Sequence, residues 1–269
     1  MTWLNVHRGD APMVIAFPHG GNDLAGLDAQ FVSPWLARRD ADWWIDELYA
    51  FARDLGVTTV ATTISRSVID CNRDPSGASL YPGAATTELV PTTTFDGEPL
   101  YASALPDATA IVERRSAYFD PYHAALTAEV ERLRAQHPRV VVYDAHSIRS
   151  HIPRLFDGEL PQFNIGTNSG ASCDLALTAA IAAPCAASGF GHVVNGRFKG
   201  GWTTRHHGQP ERGIHAVQME LALRGYVAEP ASIDSTNWPA PLADAPVIAP
   251  TLRSVIDAAL AFAKSGEPA

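Results

Sequence analysis

The sequence predicts an α/β protein, on three observations. Apolar or β-branched runs of strand length occur at 13–17, 57–64 and 140–143. Segments with apolar residues at helical spacing separate these runs. Turn-rich loops with glycine or histidine come directly after the runs. Strands that alternate with helices indicate a parallel sheet with crossover connections.

The first half of the chain begins with a predicted buried strand over 13–17. A helix is expected next, with Asp42 as its N-cap and Gly56 at its end. Its apolar face consists of Trp44, Leu48, Phe51 and Leu55. A second strand over 57–64 is followed by a polar, turn-rich loop over 65–83. The segment 84–108 lacks periodicity and is predicted to be irregular.

The second half begins with a helix that starts at Asp120 and Pro121 and stops at His137. Its apolar face consists of Tyr122, Leu126, Val130 and Leu133. The elements predicted after it are a strand over 140–143, a loop over 150–172, a helix over 174–183, a strand over 192–198, a strand or helix over 215–223, an extended surface segment over 230–250 and a final helix over 252–260.

Length and composition predict one domain over 1–269, with its core in 13–226 and an extended wrap and helix over 230–264. A hydrophobic fraction of 46% is sufficient for a sizeable core. The net charge of −9 and the lack of a basic run argue against a nucleic-acid partner. The oligomeric state is not predicted.

The cysteines and the chain's most apolar segment bear on location. Three cysteines without a CxxC pair favour a reducing compartment. The N-terminus lacks the pattern of a secretory signal. The alanine-rich segment 175–187 is too short to span a bilayer. We therefore expect a cytoplasmic protein without a membrane partner.

Three groups of residues indicate chemistry. His19, with Asp23 close behind it, follows the first strand, and His146 follows the strand over 140–143. Glu220 lies in an apolar run. Two imidazoles and a carboxylate suit a catalytic zinc ion, and a further carboxylate nearby accepts a proton from water. Burial raises the pKa of a carboxyl such as Glu220 toward the working pH.

Each of these residues also has a structural explanation. A histidine after a strand is often bonded only to backbone. Asp144 is either a loop cap or a partner that orients an imidazole. Glu220 pairs with Arg224 if their segment is helical.

Arginines form the other polar group. Arg66, Asn72 and Arg73 lie in one loop, and Arg197 and Arg205 flank the glycines of GRFKGGWTTRHHG. Arginine forks hold carboxylates, and Asn72 or Arg73 is suited to donate to a developing oxyanion. The alternative for each arginine is an ordinary surface ion pair.

Two adjacent histidines, His206 and His207, follow Arg205. Either is a candidate to contact metal or substrate, and the other then has a structural role. No GxSxG elbow, Walker loop or GxGxxG motif competes with the metal hypothesis.

Seven motifs now allow a comparison with a known family. They are FPHGG at 17–21, SRSVIDCNRDP at 65–75, LYPG at 80–83, DPYHAAL at 120–126, YDAHS at 143–147, NGRFKGGWTTRHHGQP at 195–210 and HAVQMEL at 215–221. With these motifs the sequence resembles the N-formylglutamate amidohydrolases (deformylases) of bacterial histidine degradation. Their fold is similar to that of the zinc carboxypeptidases and the aspartoacylases. The resemblance therefore implies a single α/β domain with a central mixed sheet and helices on both faces.

The resemblance also implies a metal site. Those relatives bind the metal through a histidine and a carboxylate of an HxxE motif and a later histidine. The histidines match His19 and His146. Asn22 stands at the carboxylate position, so the nearest carboxylate, Asp23, is expected as the third ligand.

The catalytic roles follow from the same resemblance. The DxNR loop matches Asp70, Asn72 and Arg73, which implies substrate and oxyanion contacts, and the general acid/base matches Glu220. The residues expected to bind the two carboxylates of a dianionic N-acyl amino acid are Arg66, Arg197 and Arg205, with His206 as a further contact.

The expected reaction is hydrolysis of N-formyl-L-glutamate to formate and L-glutamate with Zn²⁺ or another divalent ion. The alternatives are a deacylase of another N-acyl amino acid, a carboxypeptidase-like peptidase, and a non-catalytic protein that binds small acids.

Overall fold

The computed structural model describes residues 2–80 and 82–266. Seven strands in this part of the chain form one sheet with the order β1-β3-β2-β4-β7-β5-β6. They are β1 (Leu4–His7), β2 (Met13–Phe17), β3 (Thr58–Thr62), β4 (Val140–Ile148), β5 (Phe163–Gly166), β6 (His192–Val194) and β7 (Ile214–Ala222).

The sheet is mixed. The neighbours β3, β2, β4 and β7 are parallel, whereas β1 is antiparallel to β3 and β5 is antiparallel to β7. Four carboxyl ends of parallel strands therefore meet at one edge, which is where ligands bind in open α/β sheets.

Helices cover both faces of the sheet, as the resemblance implies. They are α1 (Pro34–Arg38), α2 (Ile45–Leu48), α3 (Ala108–Arg114), α4 (Asp120–Arg134), α5 (Leu175–Ala187), α6 (Trp202–His207) and α7 (Ala249–Lys264). Met13, Ile15 and Phe17 of β2 belong to the hydrophobic cluster that contains α5 and α7. Val14 and Ala16 belong to the cluster that contains α4, because side chains alternate between the faces of a strand.

The strand predictions are confirmed at 13–17 and at most of 57–64. The strand predicted over 140–143 continues to Ile148, and the one predicted over 192–198 ends at Val194. The ambiguous segment 215–223 is largely the strand β7. The short strands β1 and β5 were not expected.

The helix expected between Asp42 and Gly56 is wrong in its form. Only one α-helical turn, α2, is present, and a 3-10 helix follows over Ala50–Leu55. Trp44, with a positive φ of 62°, precedes α2 without a side-chain cap. Asp42 is therefore not a helix cap, and its carboxylate lies in the interior.

The helix predicted from Asp120 is present as α4, but Asp120 does not cap it, because Asp120 is itself helical. The preceding residues are helical as well: α3 begins at Ala108, where the Asp107 side chain accepts from the Ala110 amide, and a π-helical turn over Arg115–Phe119 joins it to α4. This turn lies just before Pro121, whose missing N–H interrupts the regular α-helical bonding.

The proline in α5 likewise does not end its helix, because α5 continues past Pro184 to Ala187. Within 230–248 no strand or α-helix forms, but Trp238 is buried in the core and donates to the Arg39 carbonyl at 2.9 Å. The division into a core over 13–226 and a C-terminal wrap stays a prediction.

The three cysteines are buried free thiols. None of the helices within residues 2–80 and 82–266 has the length and apolarity that crossing a membrane requires.

Candidate active site

Polar side chains interrupt the buried strands at the carboxyl edge of the sheet. His19 follows β2, the loop with Asp70 and Asn72 follows β3, and His146 and Glu220 lie near the ends of β4 and β7. His146 and Glu220 are register partners, so their side chains leave the same face of the sheet side by side.

The turn that carries His19 depends on close backbone packing. A Cβ at Gly21 would lie 2.3 Å from the carbonyl carbon of Thr63, so only glycine permits this approach. The Asp23 amide also donates to the Thr63 carbonyl at 2.8 Å. These contacts fix the turn against the end of β3 and hold His19 in the interior.

Two imidazoles and one carboxylate meet in this interior. Nδ1 of His146 lies 3.0 Å from Oδ2 of Asp42, and Nδ1 of His19 lies 3.8 Å from the same oxygen. All three ligand atoms lie within 4.8 Å of one another, and all three residues are buried. This His–Asp–His cluster (His19, Asp42 and His146) has the composition and spacing of a metal site.

A second carboxylate lies behind each histidine. Nε2 of His19 lies 2.6 Å from Oδ1 of Asp70, and Nε2 of His146 lies 3.0 Å from Oδ1 of Asp144. Histidines that bind metals usually donate their other ring N–H to a carboxylate or carbonyl, which fixes the tautomer. Asp144 lies within β4 and is therefore not a loop cap. Its role as an orienting partner stays a prediction, because Asn72 Nδ2 lies 2.8 Å from Nε2 of His146 and Asp144 Oδ1 has no hydrogen-bond partner among the described residues.

The expectation that Asp23 completes the cluster is corrected. The Asp23 side chain is exposed, and its Oδ1 accepts a hydrogen bond from the Ala25 amide at 2.8 Å. The carboxylate between the imidazoles belongs to Asp42, 23 positions after His19. In the sequence, Asp42 has the appearance of a helix cap. The feature that could have indicated its burial is its position between the apolar residues Ala41 and Trp43, both of which are in the core.

The cluster is electrostatically asymmetric. Burial and the Arg66 guanidinium lower the pKa of His19 to about 4. Burial also disfavours the charged form of His146, but Asp144 and Asp42 outweigh it and raise the pKa of His146 well above its usual value. Burial opposes ionisation of Asp42, yet the two imidazoles and Arg66 hold the pKa of Asp42 below its usual value. The cluster thus contains an ionised carboxylate that attracts a cation.

Glu220 lies on β7, in register with His146 of the cluster. Its side chain is 7% exposed, and burial raises its pKa to about 7. Gln218 donates to Glu220 Oε2 at 3.0 Å. The alternative pair with Arg224 does not form, because the segment is a strand and Arg224 instead donates to Ser150 and to the Leu160 carbonyl.

A pocket of about 540 Å³, including its open mouth, lies over these groups. Its polar floor contains His19, His146, Asn72, Gln218 and Glu220, and its apolar wall contains Phe95, Ile148, Leu155 and Phe198. Three guanidinium groups line it, those of Arg66, Arg73 and Arg197. This lining, with cationic and apolar groups around a polar floor, suits a small anionic molecule.

The arginines differ in depth. Arg66 is buried, its Nη1 lies 3.2 Å from Nδ1 of His19, and its Nη2 donates to Asp70 at 2.7 Å. Arg73 is half-buried and donates to the backbone and side-chain oxygens of Thr87. Arg197 donates to the carbonyls of Leu155 and Ala85. Arg66 is thus next to His19, Arg73 Nη2 lies 3.7 Å from Asp70 Oδ2, and Arg197 is bonded to loop carbonyls that include one of the pocket lining.

Asn72 lies at the pocket, but its amide has protein partners. Nδ2 lies 2.8 Å from Nε2 of His146 and donates to Asp144 Oδ2 at 3.1 Å, and Oδ1 accepts from the Thr203 amide at 2.8 Å. Asn72 thereby connects the carboxylate behind His146 to the start of α6. The structure gives it an orienting position, in place of the free donor expected for an oxyanion.

Two expected substrate contacts are not brought to the pocket, which corrects that expectation. Arg205 donates to the Gly200 carbonyl at 2.9 Å and does not line the pocket. His206 is exposed and stacks on Trp202 with ring centroids 4.9 Å apart. The first residues of α6 face Asn72, so these later residues lie away from it. His207 is buried beside His123, with ring nitrogens 3.4 Å apart.

The chain matches a known protein family over most of its length. Residues 11–227 match the family model described as N-formylglutamate amidohydrolase. The chain belongs to the N-formylglutamate amidohydrolase family. Like the other members of this amidohydrolase family, it is a hydrolase acting on an amide bond.

Two curated relatives are named N-formylglutamate deformylase. The one from Pseudomonas aeruginosa is 49% identical over 231 residues, which cover 85% of this chain and 86% of that protein. The one from Pseudomonas putida is 48% identical over 232 residues, which cover 84% and 85%. Both alignments span most of both proteins.

A solved structure supports the fold. The N-formylglutamate amidohydrolase from Ralstonia eutropha JMP134 superimposes with a TM-score of 0.78 at 23% identity and covers 99% of this chain and 98% of that one. The expected likeness to zinc carboxypeptidases and aspartoacylases stays a prediction.

Proposed function

We propose that this amidohydrolase hydrolyses N-formyl-L-glutamate to formate and L-glutamate. The observation that carries the proposal is one pocket lined by the two histidines of the His–Asp–His cluster, by a buried glutamate and by three arginines. The names and identities of the two Pseudomonas relatives support the same reaction. Its place in histidine degradation and in the cytoplasm is an expectation from sequence.

A divalent ion would be held by His19, Asp42 and His146. Zinc is the first choice, because two imidazoles and one carboxylate are a common catalytic zinc set, although manganese and cobalt accept the same ligands. Asp42 Oδ1 is buried without a hydrogen-bond partner among the described residues, as expected for an atom that needs a cation. When bound, the ion polarises the substrate carbonyl and acidifies water.

Glu220 is the general base and then the general acid. Its carboxylate accepts a proton from the attacking water and returns it to the nitrogen of the leaving glutamate, so the formyl C–N bond breaks as the N–H bond forms. Its pKa of about 7 suits both directions of transfer near neutral pH. Its place beside His146 in the register directs it to the same pocket.

Arg66 and the outer arginines divide the negative charge of the substrate. Arg66 lies next to His19 and is placed to stabilise the oxygen of the formyl group as charge develops there. We assign the two glutamate carboxylates to Arg73 and Arg197, which also line the pocket. This exchanges the roles that the sequence suggested for Arg66 and Arg73, because Arg66 is the guanidinium in contact with His19.

The experiment is a hydrolysis assay with N-formyl, N-acetyl and N-succinyl-L-glutamate, using protein loaded with zinc, manganese or cobalt. We expect N-formyl-L-glutamate to have the highest kcat/KM. A higher value for another acyl group would make the protein a deacylase of that substrate. Absence of turnover with every metal would instead favour the non-catalytic acid-binding alternative.

A further inference from the structure

We propose that Gln218 is a positioning residue that fixes the carboxylate of Glu220 and leaves Oε1 as the oxygen that carries the proton. The inference rests on the proposed function, because it assigns a geometry to the base of that reaction. Gln218 was not among the residues that the sequence pointed to.

The contact is built into one strand. Gln218 and Glu220 are two residues apart on β7, so both side chains leave the same face. The Gln218 side chain is 3% exposed, and its Nε2 donates to Glu220 Oε2 at 3.0 Å. No described residue donates to Glu220 Oε1. One carboxylate oxygen is therefore held by the protein and the other is available to the pocket.

A second hydrogen bond fixes the orientation of the Gln218 amide. Its Oε1 accepts from the Gly201 backbone N–H at 2.7 Å. A backbone N–H requires an acceptor and an ionised carboxylate requires a donor, so both partners demand the same orientation of the amide. A flipped amide would place donor against donor at Gly201 and acceptor against acceptor at Glu220.

Gly201 itself is tightly confined. A Cβ at this position would lie 2.4 Å from Nδ2 of Asn72, a side chain that is held at both ends by Asp144 and Thr203. The backbone at the start of α6 is thus packed between the loop that orients His146 and the glutamine that orients Glu220. The start of α6 therefore contacts both Asn72, which lies against His146, and Gln218, which lies against Glu220.

This arrangement determines where the proton goes. The Gln218 amide nitrogen donates to Oε2 whether or not Glu220 is protonated, and an amide N–H does not accept a proton. When the O–H bond of the attacking water breaks, the proton therefore binds to Oε1. It leaves Oε1 for the amine nitrogen of glutamate as the C–N bond breaks, and Glu220 returns to its ionised form.

The test is Gln218→Met, which keeps approximate volume and removes the donor. We expect kcat to fall about 10- to 100-fold, in the range for loss of an orienting partner. KM and metal content should change less than about twofold, because substrate binding and the ligands are untouched. Gln162→Met is the matched control, since Gln162 is 2% exposed and, among the described residues, its side chain donates to the Ala222 carbonyl at the end of the same strand. It should leave kcat unchanged.

A double-mutant cycle separates positioning from general disruption. In an E220Q background Q218M should lower the remaining rate less than about twofold, because the carboxylate that it orients is gone. An unchanged kcat in Q218M, or an equal fall in both backgrounds, would overturn the inference. If Q218M does not fold by thermal melting, Q218N, which is too short to reach Oε2, takes its place.

Failure of the proposed function is distinguishable from failure of this inference. If the wild type does not hydrolyse N-formyl-L-glutamate, the proposed function fails. Gln218 is then judged from crystal structures of the wild type and Q218M. The inference requires the Glu220 carboxylate to keep its position in the first and to turn in the second. An identical position in both would overturn it.

Discussion

Replacing Asp42 with asparagine separates the third ligand that the structure supports from the one expected by sequence. Asp42 is 1% exposed and lies between the two imidazoles, and an asparagine at this position would keep the shape of the side chain while losing its charge. Asp23→Asn is the matched control, because its exposed side chain only accepts from the Ala25 amide, which an asparagine oxygen also does. Both variants make the same chemical change, from a carboxylate to an amide, at positions between the parallel strands β2 and β3.

The magnitude follows from the charge removed. Two unit charges 4 Å apart interact by about 4 kcal/mol at an effective dielectric constant of ~20, and a divalent cation doubles this to about 8 kcal/mol. Desolvation of the buried carboxylate offsets more than half of that attraction. We therefore expect Asp42→Asn to weaken metal binding by about 3 kcal/mol, which is roughly 100-fold.

The assay is competition between each protein and a chromophoric zinc chelator, with metal per chain measured by mass spectrometry. Asp23→Asn should bind zinc within about twofold of the wild type, as expected for a surface substitution. Thermal melting of both variants shows that they are folded. Wild-type affinity in D42N, or a large loss in D23N, would refute the cluster as the metal site.

Three further predictions concern catalysis and stability. Glu220→Gln should lower kcat by about 10²- to 10⁴-fold with little change in KM. In the wild type, kcat/KM should fall as the pH drops below the Glu220 pKa of about 7, because the base must be ionised. A pH-independent kcat/KM between pH 5 and 8 would contradict this. Arg197→Lys should raise KM at least about tenfold through loss of a bidentate contact. Arg205→Lys should leave KM unchanged, since Arg205 does not line the pocket. Equal KM values for the two variants would show that Arg197 does not bind the substrate. Burial opposes the ionised form of Glu129, but Arg132 and Arg8 hold the pKa of Glu129 below its usual value. The ionised Glu129 side chain therefore stabilises the fold fully above about pH 4.5, and this stabilisation is lost as the pH falls through the pKa of Glu129 in the folded chain. In urea unfolding at pH 7, Glu129→Gln should cost about 2 kcal/mol, and a loss that does not shrink toward pH 3 would show that charge is not the cause.

Local sequence patterns predicted the interior strands of the sheet. β2 is apolar throughout its length, and its five residues are all buried. β7 was ambiguous because its fully buried nine residues include His215, Gln218 and Glu220, which break the pattern of an interior strand. β5 has only four residues in a turn-rich region, where pairing with β7 outweighs local preference. Pairing partners far along the chain decide such cases, and a single sequence does not display them.

The candidate site was predictable where a residue follows a strand. His19 and His146 come at ends of adjacent parallel strands, so their meeting follows from the topology. Asp42 comes from the connection between β2 and β3, where no strand end determines its position. Its carboxylate is held by the Ser147 amide and His146, both about 100 residues away. The helical spacing of apolar residues after Asp42 instead favoured a helix cap, a local interpretation that tertiary contacts override.

Metal removal provides a test that does not depend on substrate. Asp42, Asp70 and Asp144 place three carboxylates around two imidazoles, and Asp42 Oδ1 has no hydrogen-bond partner among the described residues. A bound cation therefore stabilises the folded chain, by about 2.7 kcal/mol when free metal is at 100 times Kd. Each kcal/mol shifts Tm by about 2–4 °C in a domain of this size, so chelation should lower Tm by about 5–10 °C. In D42N the same chelator should shift Tm by less than about 2 °C, because the binding that it removes is already weak. An equal shift in wild type and D42N would place the stabilising metal outside the cluster.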